Sequence, residues 1–246
     1  MKWYVTITLF LVFPLCTFAE DSEEIQKILT QSWEAHFGSQ TKFGELPRIS
    51  HSGKGILITS QGKVESTRLF YAQWPYSFRL INEMKLDQKQ AKTIVVVNDS
   101  NSWLKANSEV AKELSLEDRR TFLTDVNAYG LIYFGTWADK RFTKTKLKTT
   151  TDQANHEVIR FSASGKFQVN LHFDKKTHLL VESNYENREL SLNIKKRIVL
   201  SDFKKFGDYK LATKETIFYN GYENSIWTID KYDFPSTFPN DFFEKP

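Results

Sequence analysis

The chain has 246 residues, 34 Lys and Arg against 30 Asp and Glu, and a formal charge of +4, a near balance that argues against a nucleic-acid partner. It carries one cysteine and 15% aromatic residues, so an apolar core rather than disulfides must hold it together. The chain is long enough to build one.

Lys2 precedes a nearly unbroken apolar run from Trp3 to Phe18, and Thr17-Phe18-Ala19 puts small residues at the positions a signal peptidase reads. This predicts a cleaved secretory signal peptide over residues 1–19, the run being short for a membrane-spanning helix. Leu15, standing before Cys16, argues against lipid attachment there. Residues 20–246 then read as a single domain, without a linker, repeat or low-complexity tract. Asp21 and Glu24 form a capping box for a helix whose stripe is Ile25, Ile28, Leu29, Ser32, Trp33, His36 and Phe37. Gly38 ends it.

Strands are predicted over 55–60 and 63–74 around Gln61-Gly62, and Pro75 restricts Trp74 to extended geometry. The strand resumes over 78–84. A β-branched run over 93–98 follows, then the turn residues 98–102 and a return at Trp103-Leu104. Ser115 and Asp118 form a second capping box, with Leu116, Arg119, Phe122, Leu123 and Val126 at helical spacing as far as Gly130. Residues 137–148 return to the sheet with Lys144, Lys146 and Lys148 on one solvated face. Residues 156–162 pair with 166–173 around Ser164-Gly165. The last eighty residues read as an antiparallel meander. Phe167, Val169, Leu171 and Phe173 share one face, and so do Leu190, Leu192, Ile194, Ile198 and Leu200, with only Lys196 interrupting. Gly207-Asp208 and Asn220-Gly221 are its hairpin turns.

Candidate chemistry is sparse. Ser52-Gly53-Lys54-Gly55 lacks the frame of a phosphate loop and reads as a turn before a strand. The sequence has no Gly-x-Ser-x-Gly elbow, no His-Glu-x-x-His pair and no cysteine nucleophile in residues 20–246, so no catalytic residue is assigned. His172, Asp174 and His178 have metal-ligand residue types, but they lie on the polar side of a charged turn, and neither a metal nor a cofactor is expected. Asn98-Asp99-Ser100 is a formal glycosylation sequon.

The order of motifs resembles the LolA-like superfamily of periplasmic outer-membrane lipoprotein-sorting proteins. The resemblance is carried by the signal and helix, by Arg68-Leu69-Phe70-Tyr71-Ala72-Gln73-Trp74-Pro75-Tyr76-Ser77-Phe78-Arg79 and by Val97-Asn98-Asp99-Ser100-Asn101-Ser102-Trp103. Residues 171–180 and Ile198-Val199-Leu200-Ser201-Asp202-Phe203 close the set. It implies an α+β fold, an unclosed antiparallel β half-barrel whose concave apolar face is covered by helices. It also implies a monomeric, non-enzymatic carrier of lipid or lipoprotein acyl chains. LolA proper has an arginine before the strand-end proline, implicated in energy-linked cargo transfer; Trp74 stands here, which argues against a shuttle for an ATP-driven release complex.

Strand parity names the expected cavity wall as Leu69, Tyr71, Phe167, Val169, Leu171, Phe173, Leu190, Leu192, Ile194 and Ile198, with Trp33 and Phe37 on the covering helix. Parity cannot separate pocket from core, because both occupy one face. The expected partner is an acyl chain. The alternative is an RseB-like envelope-stress sensor that uses the same fold to bind an envelope membrane protein. An unrecognised hydrolase and an outer-membrane barrel are weaker rivals.

Overall fold

The structure, a computed structural model, describes residues 17–43, 48–74, 77–86, 89–133, 135–164, 167–189 and 192–246. Most of the predicted signal peptide, Pro75, the Gly165 turn and Leu190 therefore lie outside the described residues. Six strands come before the second helix: β1 (Ile49–Thr59), β2 (Gly62–Gln73), β3 (Ser77–Leu86), β4 (Lys89–Val97), β5 (Ser102–Ala106) and β6 (Lys112–Glu113). Seven follow it: β7 (Thr143–Leu147), β8 (His156–Ser162), β9 (Gln168–Asp174), β10 (Leu180–Glu189), β11 (Leu192–Phe206), β12 (Tyr209–Tyr219) and β13 (Tyr222–Asp233). All belong to one sheet in the order β6-β5-β4-β3-β2-β1-β13-β12-β11-β10-β9-β8-β7. Every pair is antiparallel. The edges, β6 and β7, do not meet, so the sheet is an unclosed half-barrel with two helices, α1 (Thr17–Phe37) and α2 (Leu116–Tyr133).

Helix α1 begins upstream of the expected Asp21 cap. Its buried stripe is the predicted one: Ile25, Ile28, Leu29, Ser32, Trp33, His36 and Phe37. Trp33 lies 4.6 Å from Phe37 and 5.2 Å from Phe43, centroid to centroid, and its Nε1 donates to the Thr41 carbonyl at 2.8 Å. His36 joins the helix to the sheet. The Leu180 amide donates to its Nε2 at 2.9 Å, which leaves Nδ1 protonated and donating to the Lys210 carbonyl at 2.8 Å. Of the expected lysine face, Lys144 and Lys146 on β7 are half-buried, Lys146 binding Glu24 on α1 and, at 3.1 Å, Glu157 on β8, while Lys148 just beyond the strand is exposed as expected.

Helix α2 opens on the predicted capping box, with the Asp118 amide donating to Ser115 Oγ at 3.1 Å. It does not stop at Gly130 but runs on to Tyr133. Gly130 is there for room, since a Cβ would come within 2.0 Å of the Trp74 ring. Nor is Trp137 part of a strand. It sits in a 3-10 turn over Thr136–Ala138, buried, its Nε1 donating to the Leu131 carbonyl at 2.8 Å. Ser52-Gly53-Lys54-Gly55 lies inside β1 rather than in a turn.

After β13 the chain crosses the outer face of β2–β5. Arg79 and Asn98 donate to the carbonyls of Phe242 and Phe243 at 2.9 and 3.1 Å, and Phe243 packs with Val96 and Trp103. The Asn98 amide is thus buried and bonded within the fold.

Burial pushes the His36 imidazole down to about 4, against the partly compensating bond to Lys210. The unfolded chain therefore takes up the proton more readily. The contribution of His36 is complete above pH 6.5 and is lost as pH falls toward 4, a loss of about 3 kcal/mol. His51 and His172 are lowered as well, chiefly by burial, so the wild-type slope is steeper still. Urea unfolding of H36Q at several pH values is expected to show this share of the slope removed and the rest intact.

Candidate functional site

The concave face has two regions. Over β8–β10 it is filled by the protein's own side chains. Phe161, Val169, Leu171, Phe173 and Leu180 are all buried and cluster with Trp33 and Phe37 of α1. Trp137 closes that region edge-on to Phe173, 5.3 Å between centroids.

Over β1–β3 and β11–β13 a cavity of about 390 Å³ remains, opening to solvent. Leu57, Leu80, Ile217, Tyr219 and Trp227 form its apolar wall from the sheet side. Asp118, Thr121, Phe122, Asp125 and Tyr129 line it from α2, at the three-and-four spacing that puts them on one helix face. Two other grooves exist: one of about 520 Å³ lined mainly by polar side chains such as Arg160, Asn170 and Arg197, and one of about 580 Å³ that mixes Lys54, Glu65 and Thr67 with Ile56, Met84 and Ile226; neither has a helix residue in its lining.

Two ion pairs stand inside the concave face. Arg68 on β2 binds Glu215 on β12 at 2.7 Å, with Glu215 fully buried. Burial works against the guanidinium, but the Glu215 carboxylate outweighs it and holds the proton more firmly than usual. The Arg68 guanidinium also lies 4.5 Å from the Trp227 ring centroid, a cation–π contact. Lys196, the predicted interruption in β11, bonds both oxygens of Asp125 at 3.1 Å, and Tyr185 donates to Asp125 at 2.8 Å. Burial, then the Asp125 charge, raises Tyr185 well above its usual value and keeps that donor protonated. Helix α2 is thereby tied to the sheet by its charge as well as by its apolar end. His51 stacks on Phe70 at 4.5 Å, and burial and then Arg68 keep it neutral.

None of the described residues named from strand parity lines this cavity. Val169, Leu171, Phe173, Ile198, Trp33 and Phe37 are buried core, and Phe167 packs partly buried against Phe142 at 5.7 Å. Leu69 and Tyr71 point to the outer face; the inward positions of β2 are Ser66, Arg68, Phe70 and Ala72. Leu69 is 38% exposed, while Tyr71 lies under the C-terminal segment, 5.0 Å from Phe242. Leu192 is 64% exposed at the start of β11, and Ile194 is half-buried. Leu190 is outside the described residues.

The cavity residues carried a signal of their own. Arg68, Lys196 and Glu215 are charged groups at inward-facing strand positions, where an ordinary core has none. His172, Asp174 and His178 do not converge: Asp174 accepts from Lys176, Thr177 and the Thr177 hydroxyl within its own turn, and His172 faces Asn184 at 2.9 Å. Among the described residues no three such side chains form a metal cluster, and no helix is long and apolar enough to cross a membrane.

No family model matches the sequence, and no curated protein matches it. Solved structures do. A LolA superfamily protein from Nitrosomonas europaea superposes with a TM-score of 0.56 at 12% identity, covering 89% of this chain and 97% of that one. A domain assigned to outer membrane lipoprotein sorting, from Vibrio parahaemolyticus, gives 0.56 at 10%, covering 92% and 97%. A DUF1329 family protein from Desulfovibrio piger gives 0.56 at 10%, covering 89% and 97%. The protein has a LolA-like fold. At the position where LolA proper is expected to carry its arginine, the Trp74 ring lies against Gly130, Nε1 donates to Asp139 at 3.3 Å, and Arg141 covers the ring at 5.0 Å.

Glu215→Leu alone strands a buried guanidinium and is expected to cost about 3–5 kcal/mol in urea unfolding, whereas Arg68→Met with Glu215→Leu should recover most of that loss. Gly130→Ala, which ordinarily strengthens a helix, is expected instead to destabilise by about 1–3 kcal/mol in thermal unfolding, because the Trp74 ring must move.

Proposed function

We propose that the protein is a non-enzymatic, exported carrier of acyl chains from lipids or lipoproteins, working in the periplasm. The observation that supports this reading is the cavity of about 390 Å³ between α2 and the sheet, a volume within the range of small-molecule sites. Its apolar wall offers a chain the same exchange that drives folding. Each CH₂ moved from water contributes about 0.8 kcal/mol, so a twelve-carbon chain is worth on the order of 10 kcal/mol. Free passage through water at that penalty is slow, and a carrier removes it.

The roof is suited to opening. The buried residues of α2 are all in its second half, from Val126 to Tyr133, whereas Leu116 at its start is 75% exposed. Raising the first half uncovers no fully buried side chain, but it breaks the Asp125 tie, the Asn187 bond to the Thr121 carbonyl and the Arg119 bonds to the Asn98 and Asp99 carbonyls, and lifts Phe122 and Leu123 from the core. Wild-type protein purified from membranes is expected to yield lipid in an organic extract and to bind a fluorescent fatty acid. Leu80→Trp, which fills the cavity, should weaken that binding at least about tenfold, about 1.4 kcal/mol, while Leu69→Ala on the outer face leaves it unchanged. A lipid-free extract together with no probe binding rejects the carrier role. Recovery of one membrane protein in a pull-down from the same preparation would then favour the envelope-sensor alternative.

A further inference from the structure

The size of the cavity bears on how many chains its cargo carries, an inference that rests on the acyl-carrier reading above. A packed methylene takes up about the volume of a water molecule, about 30 Å³, so a cavity of about 390 Å³ is filled by roughly thirteen carbons. That is one medium-length chain. A second of the same length needs the same space again.

The walls do not offer it. Beyond β11 the concave face is closed by Ile198, Val169 and Leu171, all buried in the core. On the other side the second half of α2 is already seated on the sheet. Tyr129 lies 6.0 Å from Phe70 and 6.3 Å from Phe78, and Tyr133 lies 5.8 Å from Phe70, centroid to centroid. The floor is the Trp227 ring, backed by bare Gly55 and covered by the Arg68 guanidinium, which is itself bound to Glu215. Close-packed walls of this kind yield little to a guest larger than the space they leave. Neither of the other grooves extends the room. The one of about 580 Å³ shares no lining residue with the cavity, and the one of about 520 Å³ shares only Lys196 and is mainly polar. The roof is the remaining source of volume. Holding α2 up over a second chain keeps the Lys196 and Tyr185 bonds to Asp125 and the Asn187 bond to the Thr121 carbonyl broken for as long as the cargo stays. A single chain breaks them only while it passes.

We propose that the cargo is a single-chain amphiphile, of which the cavity encloses roughly the first thirteen carbons, and that lipids with two or three chains are rejected. The chain has two chemical sources, a free fatty acid or a lysolipid. Displacement of a fluorescent fatty acid from the wild-type protein tests the capacity. From octanoate through decanoate to laurate or myristate, competition is expected to strengthen about fourfold per carbon, and to level off at palmitate and stearate. Decanoyl-lysophosphatidylcholine and didecanoylphosphatidylcholine, each kept below its micelle concentration, share a head group and differ by one chain. The second chain is expected to improve competition less than tenfold, where room for both would improve it more than about a thousandfold. Comparison of laurate with lauroyl-lysophosphatidylcholine then assigns the chain to the free acid or to the lysolipid, and either supports the inference. In Leu80→Ala, which trims the wall to a methyl group, the levelling should move to a chain about two carbons longer. The wild-type series decides on its own, whatever the stability of the variant. A gain of tenfold or more from the second chain, or competition that goes on strengthening through stearate, overturns this inference and leaves the carrier reading standing. Failure of every fatty acid and lysolipid to displace the probe removes both.

Discussion

The pairing of β1 with β13 brings together strands that lie far apart in the sequence, and the rest of the sheet depends on it. Every other neighbour in the sheet follows its partner along the chain within one half or the other, so each half is a meander that could form from local contacts. The join between them must overcome the entropy of closing a loop of most of the molecule. Two glycines make it close enough. A Cβ at Gly53 would come within 2.5 Å of the Thr228 carbonyl, and one at Gly55 within 2.5 Å of the Trp227 ring. Because Gly55 is bare, the Trp227 ring lies over β1, and Arg68 then stacks on that ring. The contact that joins the halves therefore also makes the cavity floor.

Placing Arg68, Glu215, Lys196 and Asp125 inside a half-barrel works against the plain hydrophobic solution, since buried ion pairs seldom stabilise more than well-packed apolar groups. What they change is the character of the concave side. The β8–β10 region, roofed by α1, is a solid apolar core. The region beneath α2 is charged, neutralised in pairs and incompletely filled. Solid core and open cavity are thus divided along one continuous sheet, and the boundary between them falls near β11, where Ile198 belongs to the core and Lys196 to the cavity.

The architecture was legible because its signals are local. Alternation gave the strands, Asn220-Gly221, both at positive φ (52° and 87°), gave a hairpin, and the stripe of α1 was read residue by residue. The site was not legible, for a reason parity itself imposes. Alternation reports that a residue faces inward but not whether anything lies opposite it, so it named Val169 and Leu171, which are packed solid, and did not single out Ile217 and Trp227. In β2 the parity was taken from Leu69 and Tyr71, whose outward ring is covered by Phe242 from a segment far away in sequence. The informative residues were the ones that broke the apolar pattern. Lys196 was noticed as an exception, but its partner Asp125 lies on a helix 71 residues earlier, beyond the reach of any spacing rule. Gly130 looked like a helix stop because the Trp74 ring that needs its bare backbone comes from another strand.

Trp74 grips α2 near its buried end and leaves the capping box at the other end to solvent. Helical rise puts Leu116 about 21 Å from Gly130, which makes the helix a lever with its fulcrum at the tryptophan. Once the Arg119 bonds to the Asn98 and Asp99 carbonyls are released, a tilt of about ten degrees there moves the Leu116 end by roughly 4 Å over that length, comparable to the width of a hydrocarbon tail. Rocking about the pinned end would part the mouth of the cavity and leave the core beneath α1 in place.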